Sequence, residues 1–339
     1  MSGLLRTALS ESLGIRYPVL CAPMGALTVP ELAAAVSNAG GLGILGASSA
    51  PPEVLRARIR RLRELTDRPF GVNLILTRPA EERARVCFEE RVPLLSLFWG
   101  DPAPYAPRAR QLGLKVCIQV GTTQAAREAA AAGVDFVIAQ GMESGGHTHG
   151  QLSSLVPVPQ VVDAVRPLPV AAAGGIADGR GLLAALALGA QAAVLGTRFL
   201  ATPEANAHGR YKEMLLAARS EDTVRTTLFG GGWPDAPHRV LRTRFVDEWI
   251  ADEARGNANR DDEPEMAQMR MGEQTVSIRR FMVFPPTRDT AGEIESMALY
   301  AGQSVGMVER IEGAGDIVAK IVAEAADVLR SQLMPLAPR

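Results

Sequence analysis

The chain has 339 residues, of which 47% are hydrophobic and 22% charged, enough apolar material for one large globular core. Its net charge of −1 and its 5% aromatic content exclude a global field for nucleic acid or an anionic membrane, and a platform for base stacking. The three cysteines, Cys21, Cys87 and Cys117, form no CxxC or zinc-ligand pattern, which fits reduced thiols and a cytoplasmic setting.

Residues 1–14 lack the apolar run of a signal peptide and carry Glu11. One pattern then recurs: an Ala-rich helix, a glycine and a short apolar strand. Residues 31–40 end at Gly40 before 42–46, 124–133 end at Gly133 before 135–140, and 182–189 end at Gly189 before 192–196. Each glycine stands where a helix C-terminus needs positive φ. Thr28 with Glu31, Thr122 or Thr123, and Asp178 are the expected helix caps. Gly189-Ala190-Gln191 interrupts the uncharged stretch 181–197 near its centre, so it reads as helix, turn and strand rather than a membrane span. Further apolar strands are expected at 19–22, 70–74, 94–98, 116–119 and 170–173. Continuous apolar character marks parallel strands buried on both faces. Eight strands before residue 200, with helices or helix-length gaps between them, predict an α/β fold of the TIM-type (β/α)8 barrel. An open doubly wound sheet also alternates β and α, but no GxGxxG opens a helix after the first strand.

Beyond residue 201 the character changes. A helix is expected at 204–218, followed by Gly230-Gly231-Gly232-Trp233-Pro234-Asp235-Ala236-Pro237-His238. Residues 252–274 are polar and should form an exposed or mobile segment. An apolar helix is expected near 293–300 and an amphipathic one at 311–333. We assign 1–200 and 291–339 to the barrel, and 201–290 to an insertion that serves as a lid over its mouth.

In such a barrel, catalytic groups sit at the C-terminal ends of strands. Gly174 and Gly175 leave the backbone bare there, Asp178 opens a helix just beyond, and Gly196 and Thr197 add an N–H and a hydroxyl. These turns suit a phosphate; equally, the glycines could serve only to turn the chain. His147, after strand six, reads either as a general acid or base or as a structural histidine bonded to a carbonyl. His149 faces the opposite side of the same extended segment and no further His/Cys cluster exists, which argues against a metal. Glu143 is a second titrating group or the cap of a glycine turn. Asn73 and Gln119 end strands with amides able to donate and accept. The helix carrying Arg56, Arg58, Arg60, Arg61 and Arg63 reads as a solvated outer face. Lys115 and Lys212 are not placed as Schiff-base residues, which argues against an aldolase.

In combination, Ala22-Pro23-Met24, Gly71-Val72-Asn73, Gly141-Met142-Glu143-Ser144-Gly145-Gly146-His147, Ala173-Gly174-Gly175-Ile176-Ala177-Asp178-Gly179, Leu195-Gly196-Thr197-Arg198-Phe199 and Ala301-Gly302-Gln303-Ser304 resemble the nitronate monooxygenase (2-nitropropane dioxygenase-like) family of flavin-dependent barrels. That family is related to flavin-type enoyl-ACP reductases and certain NADH:quinone reductases. The resemblance implies FMN at the barrel mouth, its phosphate on Gly174, Gly175, Gly196 and Thr197. It places Ala22, Pro23, Met24 and Asn73 along the flavin ring, with Gly145 and Gly146 also in contact and Gln303 closing the site. It makes His147 the catalytic base or orienting group for a nitronate. The implied partners are a small-molecule substrate, O2 and a second copy of the chain. Where some members carry a lysine near the flavin pyrimidine, this chain has Gln119, which alters how reduced flavin is stabilised. NAD(P)H-dependent reduction of an enoyl thioester or quinone is the alternative activity.

Overall fold

Short, continuously apolar segments can be buried on both faces only if a sheet closes on itself or is covered on both sides. Here the sheet closes. The computed structural model describes residues 5–47, 50–77, 79–258, 260–271 and 274–336. Its barrel strands are β1 (Val19–Cys21), β2 (Gly43–Gly46), β3 (Phe70–Ile75), β4 (Leu94–Phe98), β5 (Lys115–Val120), β6 (Phe136–Gln140), β7 (Val170–Ala173) and β8 (Ala192–Leu195). All neighbours pair in parallel, from β2 sequentially to β8 and then β1. A parallel bridge between Leu20 and Leu42 completes the ring, with the Leu42 amide donating to the Val19 carbonyl at 2.9 Å.

The helices are α1 (Ala8–Ser12), α2 (Pro30–Asn38), α3 (Pro52–Leu65), α4 (Glu81–Glu89), α5 (Ala106–Gln111), α6 (Thr123–Ala131), α7 (Pro157–Val165), α8 (Gly179–Ala187), α9 (Thr197–Leu200), α10 (Gly209–Ala217), α11 (Arg244–Trp249), α12 (Glu253–Asn257) and α13 (Ala314–Val328). Helices α2 to α8 follow their strands in turn, and α13 packs between α8 and α2 as the eighth stave. Thr122 and Asp178 cap α6 and α8 through the amides of Ala125 and Gly181. Gly40, Gly133 and Gly189 have φ of 95°, 84° and 90°. Thr28 does not cap α2; its hydroxyl instead donates to the Ala22 carbonyl and accepts from the Met24 amide, fixing the turn after β1.

Two cores result. Inside the ring lie Leu20, Ile44, Leu94, Cys117, Phe136, Ile138, Ala171 and Val194, joined by Leu9, Leu13 and Ile15 from α1 and the turn after it. The α1 segment is held to the residue preceding β8: the Thr7 hydroxyl donates to the Gln191 carbonyl, and Gln191 Oε1 accepts from the Leu9 amide. It plugs the N-terminal end, leaving the C-terminal rim as the open face. Outside the ring, residues such as Leu55, Ile59 and Leu62 of α3 share a continuous core with Leu45, Val72 and Leu74.

The inserted region is more ordered than its polarity suggests. Strands β9 (Thr223–Thr226) and β10 (His238–Leu241) pair antiparallel, and β10 also pairs with the two-residue strand Gly146–His147. A second hairpin, β11 (Glu265–Met271) and β12 (Gln274–Arg279), occupies much of the expected mobile segment. Alternation explains it: Ala267, Met269 and Ile278 turn inward onto Ile294 and Met297. The helix expected near 293–300 is only a 3₁₀ turn at Ile294–Ser296, and the one expected at 204–218 shortens to α10.

Candidate active site

At the C-terminal rim a cavity of about 810 Å³ opens. It is lined by Ala22, Pro23 and Met24 after β1, Asn73 of β3, Gln119 of β5, Gly145, Gly146 and His147 after β6, Gly174 and Gly175 after β7, and Gly196 and Thr197 after β8. These candidates are far apart in sequence, and the barrel brings them to one cavity. Gln303 is different. Its side chain is exposed, its amide donates to the Glu143 carbonyl at 2.9 Å, and its neighbours Gly302 and Ser304 line the cavity instead. No lysine stands among the lining residues described.

The His147 backbone is clamped. Gln140 Nε2 donates to its carbonyl at 2.9 Å, the adjacent Thr148 amide donates to the Pro237 carbonyl at 2.8 Å, and Arg225 Nε donates to the Thr148 hydroxyl at 3.0 Å. The imidazole stacks on Trp233 with centroids 4.1 Å apart and planes 22° from parallel. Tyr300 and Trp99 flank it at 5.5 and 6.3 Å. Burial in this apolar setting, reinforced by the adjacent His238, holds its pKa well below the usual histidine range. His147 is therefore neutral at pH 7, and its buried Nε2 has no hydrogen-bond partner among the described residues.

His238 is fully buried behind it. Its Nδ1 donates to the Ala236 carbonyl at 2.9 Å, and its Nε2 accepts from the Phe229 amide at 3.3 Å. Burial lowers its pKa to about 4. His149 packs on Trp99 at 3.9 Å and is lowered by burial as well. His208 lies at the start of α10, where its Nδ1 accepts from the Arg210 amide. Glu143 accepts from the Ser154 amide at 2.8 Å and from its hydroxyl, which ties the segment before α7 to the turn after β6.

Several lining residues escaped the sequence reading: Ser144, Trp233, Tyr300, and Met269 with Phe284 from the second hairpin region. Ser144 lay inside a motif already singled out. Trp233 followed the triple glycine, the one available signal that this loop does more than connect.

A parallel eight-stranded barrel with a wide cavity at its C-terminal rim, walled by glycine turns and a neutral histidine, defines a (β/α)8-barrel enzyme. The chain belongs to the nitronate monooxygenase family, whose model matches residues 6–88 and 80–324. It is thus a flavin-dependent oxidoreductase. A nitronate monooxygenase of Pseudomonas aeruginosa is 37% identical over 68% of this chain and 79% of its own. A (3aS,4S,5R,7aS)-5-hydroxy-7a-methyl-1-oxo-octahydro-1H-indene-4-carboxyl-CoA dehydrogenase of Mycobacterium tuberculosis is 40% identical over 72% of this chain and 68% of its own. The structure of FabK from Thermotoga maritima superposes with a TM-score of 0.82 at 36% identity, covering 98% of this chain and 99% of that one.

The residues present fit a phosphorylated flavin. The amides of Gly175, Ile176, Gly196 and Thr197 have no acceptor among the described residues. Gly174 and Gly175 adopt φ of 114° and 70°, and a Cβ on Gly175 would come within 3.1 Å of Glu143 Cγ. The Thr197 hydroxyl accepts from the Gly302 amide at 2.9 Å, which leaves its own proton to donate. Ser144 Oγ and His147 Nε2, both on the cavity wall, are buried without partners. Buried polar atoms in native proteins are nearly always satisfied, so this pair leaves two polar groups that a bound molecule could satisfy.

Proposed function

We propose that the cavity holds FMN and that the enzyme oxidises alkyl nitronates with O2 to carbonyl compounds and nitrite. The observation that carries this reading is the neutral imidazole of His147, its Nε2 unpaired among the described residues, in the same cavity as the bare amides at 175–176 and 196–197. The glycine turns would take the FMN phosphate, and Ala22, Pro23, Met24, Asn73 and Gln119 would line the ring. Bound flavin supplies the electron-transfer and O2 chemistry. Asn73 is fixed for such a role by its own donation to the Ser96 carbonyl at 3.2 Å. Being neutral, His147 can donate a hydrogen bond from one ring nitrogen to a nitronate oxygen, or accept a proton at the other from a neutral nitroalkane. Trp233 and Tyr300 exclude water from that exchange. The second hairpin, which lines the same cavity through Met269 and Val276, serves as the lid.

The purified protein should carry a flavin absorbance and consume O2 when given a nitronate. Absence of flavin absorbance even after FMN is added removes this reading. Fast anaerobic bleaching by NADPH or NADH without nitronate turnover moves the assignment to a reductase of an enoyl thioester or quinone. The FabK and CoA-dehydrogenase relatives favour that second reading. That reading would call for a basic docking face toward an acidic carrier protein, and on α3 most of the arginines are already paired. Arg56 pairs with Glu89 and with Glu90 at 2.9 Å, Arg60 and Arg63 pair with Glu90 at 3.1 and 3.2 Å, and Arg61 pairs with Glu64 at 3.1 Å.

A further inference from the structure

Of the five arginines on α3, four are spent on glutamates of α2, α3 and α4. The fifth, Arg58, has no hydrogen bond or ion pair among the described residues. It is half-buried, and that burial alone lowers its pKa. It does not lie on the solvated face with its neighbours, as the sequence suggested; it lines the large cavity. A guanidinium withdrawn from water without a counter-ion is costly, and such a site favours an anion that restores the lost partner.

Pro51 and Val54 at the start of α3 and Arg270 and Gln274 of the second hairpin line the same cavity; with Arg58 they are termed its outer arm. Glu53 also lines the cavity, and among the described residues it forms no ion pair with Arg58. FMN would fill the part of the cavity lined by the glycine turns, and the lining around Arg58 lies outside the residues assigned to it. An alkyl nitronate has only a few heavy atoms and needs none of this arm.

We propose that the outer arm binds the phosphate-bearing tail of an extended substrate or co-substrate, with Arg58 as its main ligand. This rests on the rim cavity being the active site, but not on which reaction occurs there. A forked guanidinium matches a phosphate bidentately, with a specificity that an ammonium lacks.

The test is calorimetric titration of the flavin-loaded protein with coenzyme A, NADPH, NADH and inorganic phosphate as probes. At least one tailed nucleotide should bind, more tightly than phosphate alone. Arg58→Ala should weaken it by about tenfold or more, Arg58→Lys by less, and Arg60→Ala on the paired outer face should leave it unchanged. Preference for coenzyme A identifies an acyl-thioester tail, and preference for NADPH or NADH identifies a nicotinamide nucleotide. The inference is overturned if no tailed probe binds, or if Arg58→Ala binds it as tightly as the unaltered chain. Flavin absorbance, recorded on each variant, separates either result from loss of the cofactor site.

Discussion

The imidazoles of His147 and His238 stand 5.2 Å apart, centroid to centroid, on directly opposed residues of an antiparallel ladder. Both are kept neutral by burial, yet they are not equivalent. Both nitrogens of His238 are committed to the backbone, so it is a wall. His147 retains an unpaired Nε2. His147→Ala should therefore keep flavin bound while lowering turnover by roughly 10²–10⁴-fold, the usual worth of a positioned acid or base. Steady-state rates and the visible spectrum of the variant decide this; full activity would remove His147 from the chemistry.

Stability should fall with acid in a defined window. His238 has a folded pKa of about 4, against about 6.5 when unfolded. Between these values the unfolded chain binds more protons. The contribution is complete above pH 6.5 and is lost progressively as pH drops to 4, by up to roughly 3 kcal/mol. His147 shifts in the same direction. Melting temperatures measured from pH 7 to 4 should decline, and more shallowly in His238→Gln. A flat profile across that range would mean that the two rings are not buried as described.

Trp233 is the ring against which His147 is oriented. Trp233→Ala should lower kcat/KM by a few-fold to about tenfold, matching the roughly 0.5–1.5 kcal/mol of an aromatic stack. Trp233→Phe should recover much of it. An unchanged rate in the alanine variant, or equal losses in both, would indicate that stacking does not set the imidazole.

Two glycine substitutions should have opposite outcomes. A Cβ on Gly43 would lie 2.0 Å from the Ala33 carbonyl oxygen, backbone that cannot yield without separating β2 from α2. Gly43→Ala should cost several kcal/mol or abolish folding. Gly209 opens α10 with nothing within 4 Å of the added atom, so Gly209→Ala should be neutral or slightly stabilising. Denaturant midpoints of the two variants provide the comparison.

The barrel was legible because burial on both faces writes the same signal eight times, and glycines such as Gly133 and Gly189 mark where each helix stops. The rim residues were legible for the same reason, since strand ends are fixed once strands are. Thr28 was misread because a side chain can cap a helix or tie a loop, and local spacing does not distinguish these. Trp233 and Tyr300 were missed because their place beside His147 depends on a ladder between β10 and residues 146–147, a pairing distant in sequence. Arg58 was grouped with its neighbours because the apolar period of α3 identifies the buried stripe but not which flank of it borders a cavity.

The place of α13 bears on how the protein is made. β8 ends at Leu195, whereas the helix that seals the gap between α8 and α2 begins only at Ala314, after the whole insertion. The Gly179 position leaves no room even for a methyl beside the Ala325 amide, so the seam is tight and specific. A ribosome that has delivered every barrel strand has still not delivered Ile317, Val318 and Ile321, and the nascent chain must hold an apolar seam open meanwhile. Such non-local closure slows folding and leaves partly made chains prone to aggregation. Polypeptides that stall within the insertion should therefore depend on chaperones, although they already contain all eight barrel strands.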